Sequence, residues 1–103
     1  MSFEVQFVGH GTFLLKIDEY SVLLDPWISG NPATDLTNDD VNPDFILVTH
    51  GHGDHIGDCV EIAKRTGAPV VAPNGVGIWL SQQGLEKVHN QHIGGGFNHP
   101  FGH

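Results

Sequence analysis

Positive charge is nearly missing from this chain. Only Lys16, Lys64, Arg65 and Lys87 carry it, against 12 acidic residues, for a formal net charge of −8. Phosphate backbones are gripped by Lys and Arg that displace counterions, so nucleic acid is excluded as a partner, and an acidic surface gives anionic membranes nothing to attract. Cysteine is reduced to Cys59, which rules out an internal disulfide and agrees with a reducing compartment. No apolar run approaches the ~20 residues that span a bilayer. The opening Met-Ser-Phe-Glu-Val-Gln lacks the basic and apolar regions of a secretory signal. These absences together predict a soluble, cytoplasmic protein.

Glycine and histidine fill the gap, with 14 and 8 copies in 103 residues. A chain of this length buries roughly two-thirds of its unfolded surface, enough for one small core. No internal repeat or domain boundary interrupts residues 1–103. Phe3, Val5 and Phe7 alternate with Glu4 and Gln6, the period of a half-buried strand. Thr12–Ile17 and Ser21–Asp25 read as two more strands, separated by Gly9-His10-Gly11 and Asp18-Glu19, which makes a β-meander. Residues 26–43 are acidic and broken by Pro26, Gly30, Pro32 and Pro43, as in a long functional loop with one helical turn near Thr37. Phe45–Thr49 is a continuous apolar run, the pattern of a strand buried on both faces.

A helix follows, with Ile56, Cys59, Val60 and Ala63 on one apolar face and a stop at Gly67. Asp58, Glu61, Lys64 and Arg65 fall on its solvated side, where Glu61 and Arg65 are spaced for an i, i+4 ion pair. Residues 69–72 form another buried strand, and a second helix runs from Asn74 to Gly84. Strand, helix, strand, helix is the pattern of a βαβ unit. The tail from His89 to His103 shows no period. The fold class is therefore α/β, a β-meander followed by a βαβ unit.

Between the buried strand and the helix stand His50, His52, Asp54 and His55, four metal-ligating residues within six positions. Imidazole and carboxylate suit zinc, iron and manganese. Ligand sites in open α/β sheets gather at the carboxyl ends of strands. Gly51 and Gly53 let the backbone turn sharply between ligands, so that His50 and His52 face one metal while Asp54 and His55 address a second.

The His-x-His-x-Asp-His string after an apolar strand resembles the signature of the metallo-β-lactamase superfamily. Val8-Gly9-His10-Gly11-Thr12 and Leu23-Leu24-Asp25-Pro26-Trp27 are similar to a branch of uncharacterised metal-dependent hydrolases related to the ascorbate-phosphate lactonases. The resemblance covers nearly the whole chain and implies the N-terminal half of a four-layer αββα sandwich, apparently truncated. It also implies two divalent metal ions, zinc foremost, with manganese and iron as alternatives. One would be held by His50, His52 and a later His, the other by Asp54, His55 and a later His, with a later Asp bridging them. Those later residues are expected past position 103. His89, His92, His99 and His103 match none of these positions and read as exposed.

Two further residues stand out. His10, between two glycines, is placed by the resemblance near the metal pocket. Asp25 ends an apolar strand, where a carboxylate needs a partner, and the free N–H of a metal-bound histidine is the expected one. Cys59 reads as inert core and Trp27 as packing. The function these readings point to is hydrolysis of an ester, lactone or phosphoester of a small-molecule substrate by a metal-activated water, with Asp54 as ligand and water-orienting catalytic residue. The alternative is an inactive or non-enzymatic metal-binding fragment. One sheet face would then lack its covering layer and find it by self-association or in a C-terminal half.

Overall fold

The computed structural model describes residues 3–29, 31–34, 36–51, 56–91 and 99–100. Three antiparallel strands come first: β1 (Phe3–Gly9), β2 (Thr12–Ile17) and β3 (Tyr20–Leu24). The alternation read in the sequence survives as register, since Phe3, Val5 and Phe7 stand opposite Ile17, Leu15 and Phe13. After β3 the chain makes its long connection, with a short 3₁₀ turn at Asn38–Asp40 capped by Thr37 and Asp40, close to the expected helical turn. It then enters β4 (Phe45–Leu47), which runs parallel to β3.

Two crossovers through helices complete the sheet. Helix α1 (Cys59–Thr66) leads to β5 (Val70–Ala72), and helix α2 (Asn74–Gln82) leads to β6 (Val88–Asn90). Both added strands pair in parallel, and the six-stranded sheet has the order β1-β2-β3-β4-β5-β6. Helix α1 stops where Gly67 adopts φ 74° and its N–H bonds the Ala63 carbonyl, the left-handed terminus that glycine makes cheaply.

Three expectations need correction. The tail was read as patternless, yet Val88–Asn90 is a strand, because backbone pairing with β5 holds it where side-chain alternation does not. Ile56 is helical, but Gly57 and Asp58 form a turn after it, so α1 runs from Cys59 and is not continuous with Ile56. Glu61 and Arg65 do not pair with each other but both reach into the long connection. Arg65 donates to the Asn38 and Val41 carbonyls and to Asn42 Oδ1, and Glu61 accepts from Asn38. The loop offers the guanidinium its carbonyls and the Asp39 carboxylate at 3.7 Å, and offers the Glu61 carboxylate the Asn38 amide, so each side chain is satisfied there.

The core lies on one face of the sheet. Leu23, Ile46, Val70 and Ala72 cluster with Cys59, Ile62, Ala63 and Leu80 from the two helices. The opposite face is also apolar, carrying Phe3, Val5, Phe7, Phe13, Leu15, Ile17, Tyr20, Phe45 and Leu47 by register. Phe3, Val5 and Phe7 there remain 58%, 53% and 60% exposed, so nothing in the described chain covers that end of the sheet. Among the described residues, no helix is long and apolar enough to cross a membrane.

Candidate functional site

At the carboxyl ends of β3 and β4 the chain crosses itself several times. Asp25 follows β3, is only 3% exposed, and has φ 47°, a left-handed conformation that Asp tolerates better than most residues. Its N–H donates to the Leu47 carbonyl at 2.8 Å, which continues the β3–β4 pairing one residue further. Its carboxylate receives Thr49 twice, from the backbone N–H at 2.7 Å and from the hydroxyl at 2.7 Å. The same hydroxyl lies 2.8 Å from Nδ1 of the half-buried His50.

The direction of this chain follows from what each group can do. A carboxylate only accepts, so the single Thr49 hydroxyl proton points to Asp25. The Thr49 oxygen then accepts from His50, which puts a ring proton on Nδ1 and, in a neutral imidazole, the lone pair on Nε2. That is the tautomer a cation needs, so the donor chemistry at His50 fits a metal. Asp25 thus has a partner, as a buried carboxylate must, and toward His50 the Thr49 hydroxyl links it to the imidazole. Thr49 is the residue that sequence reasoning missed, and its place as the last residue of the apolar run was the only signal for it.

His52, Asp54 and His55 lie outside the described residues. Among the described residues, no three His, Cys, Asp or Glu side chains are grouped to hold a metal. His10 is exposed at the tip of the β1–β2 hairpin, with φ 56° and its ring edge-on to Trp27 at 5.6 Å. The hairpin is tied to the strand exit by Thr12. This fully buried hydroxyl donates to the Asp25 carbonyl at 2.6 Å and accepts the Trp27 N–H at 3.1 Å. Asn31, also buried, adds bonds from its amide to the Trp27 and Gly9 carbonyls at 2.9 and 3.2 Å.

Cys59 is fully buried beside this network. Burial, and secondarily the Asp25 charge, push its thiol up to about 12. It therefore stays protonated at neutral pH and supplies neither a nucleophile nor a thiolate ligand. Gly51 and Ile56, on either side of residues 52–55, line an open apolar hollow of about 290 Å³ with Gly75, Val76 and Trp79. Of the tail histidines, His89 and His99 are half-buried rather than exposed, with rings 5.2 Å apart, and His99 Nε2 lies 3.1 Å from Gln91 Oε1.

Comparison with known proteins matches residues 20–101 to the beta-lactamase superfamily domain. A UPF0173 metal-dependent hydrolase of Methanopyrus kandleri is 48% identical over 91 residues, 88% of this chain and 40% of that protein. A second UPF0173 metal-dependent hydrolase, from Bacillus cereus, is 46% identical over 99 residues, 96% of this chain and 43% of that protein. Among solved structures, the metallo hydrolase Igni18 of Ignicoccus hospitalis superposes with a TM-score of 0.82 at 34% identity, covering 90% of this chain and 41% of Igni18. The diiron β-hydroxylase CmlA of Streptomyces venezuelae shares the fold, with a TM-score of 0.68 at 23% identity over 88% of this chain and 21% of CmlA. The chain thus spans about two-fifths of the length of the curated relatives it matches.

Proposed function

The chain belongs to the metallo-β-lactamase-fold superfamily, and from that premise we propose that it carries the first half of a two-metal site for hydrolysing an ester, lactone or phosphoester. Its relatives are metal-dependent hydrolases, and one observation on this chain carries the reading furthest. The Asp25–Thr49–His50 chain orients an imidazole for a cation and backs it with a buried carboxylate. A core histidine that merely packs does not need that support.

His50 and His52 would hold one ion, Asp54 and His55 the other, with zinc favoured by this donor set and manganese or iron also suited. Bound ions supply Lewis acidity, polarising a carbonyl or phosphoryl oxygen and lowering the pKa of a water. The chain's own residues do the rest. Asp25 holds Thr49 by both its amide and its hydroxyl. Thr49 holds the His50 ring proton on Nδ1, so the imidazole presents Nε2 without first having to shift tautomer. Asp54 orients the attacking water. The hollow beside Gly51 and Ile56 offers an apolar wall to the substrate's non-reacting part. Further ligands would come from the part of the relatives' length that this chain does not span.

Thr49→Val tests the reading, because it keeps the branched shape and removes the hydroxyl link. Zinc affinity, measured by chelator competition, is expected to fall about 10-fold or more, and His50→Ala is expected to weaken it at least as far. Zinc binding that is indifferent to both changes would overturn the proposal. Turnover of generic lactones and phosphodiesters is expected from a protein of the relatives' full length and lost in its His50→Ala form. A full-length protein that binds zinc through His50 yet hydrolyses none of them would favour the non-enzymatic, metal-binding reading.

A further inference from the structure

Asp58 occupies the position immediately before helix α1, where an aspartate ordinarily accepts bonds from the helix's own first amides. Here its carboxylate makes no such bond. Its Oδ2 instead accepts the N–H groups of Ile28 and Ser29, at 2.8 and 2.7 Å, from thirty residues earlier in the chain. Its own N–H donates to the Pro26 carbonyl at 2.7 Å. Gly57 closes the contact, since a Cβ there would stand 2.8 Å from both the Pro26 oxygen and the Trp27 Cα.

The segment that Asp58 grips is the one that Asp25 begins. Asp25 holds Thr49 at one end of the His-rich stretch, and Pro26, Ile28 and Ser29 hold Asp58 at the other. Thr49 and Asp58, which flank the His-rich stretch in sequence, are thus both held by one short run, 25–29. From this geometry, and resting on the metal-site reading above, we infer that Asp58 is a positioning residue for the metal centre. It fixes the far end of the ligand-bearing stretch as Asp25 fixes the near end. A carboxylate that spends both its strong bonds on another segment, and none on its own helix, is placed to hold the two segments together. Asp44 makes the same kind of bond to the Ser21 N–H at 2.8 Å, but it does so before β4, at the other end of that strand from His50.

That pair supplies the experiment. Co(II) is titrated into the chain and into its Asp58→Ala, Asp58→Asn and Asp44→Ala variants, with affinity and ligand field read from the visible spectrum and the Tm of each apo form measured alongside. Asp58→Ala is expected to weaken Co(II) binding about 10-fold or more and to alter the spectrum. Asp44→Ala should lower the Tm and leave both unchanged. Asp58→Asn should restore most of the affinity, because both amides converge on one oxygen that a carboxamide retains. If Asp58→Ala binds Co(II) like the parent, or Asp44→Ala weakens it equally in step with Tm, Asp58 is merely structural and the inference is wrong. If the parent's Co(II) binding is unaffected by His50→Ala, the metal-site reading itself fails and takes the inference with it.

Discussion

Single residues at the strand ends carry most of what distinguishes this chain from a generic α/β half-domain. Asp25 was legible in the sequence because a carboxylate closing an apolar strand must have a partner. Which partner was not legible, since the pairing depends on how β3 and β4 align across 24 residues of chain. Asp58 was read as part of a solvated helix face for the same reason: nothing local announces that Ile28 and Ser29 come to it. Cys59 was legible in full, as an apolar-face residue with no exposure. Its thiol also leaves a measurable trace. The folded-state pKa of about 12 lies above the ordinary 9.0, so the stabilisation is whole below pH 9 and is lost as pH rises toward 12. Unfolding free energy is expected to fall by about 1.4 kcal/mol per pH unit in that window from this group alone. Urea titrations at successive pH values should show a shallower decline for Cys59→Ala than for the parent.

Among the elements, period decided what could be read. The first three strands and both helices announce themselves through alternation or an apolar face, and their observed limits differ from the reading by only a few residues. β6 has one apolar side chain in Val88-His89-Asn90 and no alternation to detect; its existence depends on the exposed edge of β5 and on α2 above it. The turn before α1 is the other element-level surprise, and only glycine fits it. Gly57 has φ 27°, and a Cβ added there would meet backbone atoms of Pro26 and Trp27, which cannot move aside as a side chain would. Gly57→Ala is expected to cost about 1–3 kcal/mol, seen as a lower urea midpoint with an unchanged slope. An unchanged midpoint would mean that the strand exit and α1 are not in fact locked together.

Viewed as a whole, the described residues form a sheet with one face covered by helices and another left open at its β1 end. The α/β class and the meander leading into βαβ units were legible from the order of periodic segments. The open face was legible too, because β1 and β2 are apolar on the side away from the helices. Its extent was not, since register had to add Tyr20, Phe45 and Leu47 to the same surface. Phe7 packs against Phe13 at 5.3 Å and is still 60% exposed. The chain by itself is expected to bind an environment-sensitive apolar dye in its native state, and Phe7→Glu should cut that signal markedly while the far-ultraviolet spectrum is kept. Equal dye signal from both forms would locate the sticky surface elsewhere.

The strand order across the sheet repeats the strand order along the chain. Each strand therefore pairs with one already made, and no early segment has to wait for a distant one. A ribosome delivers the chain N-terminus first, at a few residues each second. The hairpins can close within microseconds of emerging, and each later strand finds its docking edge laid down before it. The longest closure needed is the one from Leu24 to Phe45, whose entropic cost grows only slowly with length. The histidine stretch emerges just after that closure, and Asp25 and the run behind it are already in place to receive it.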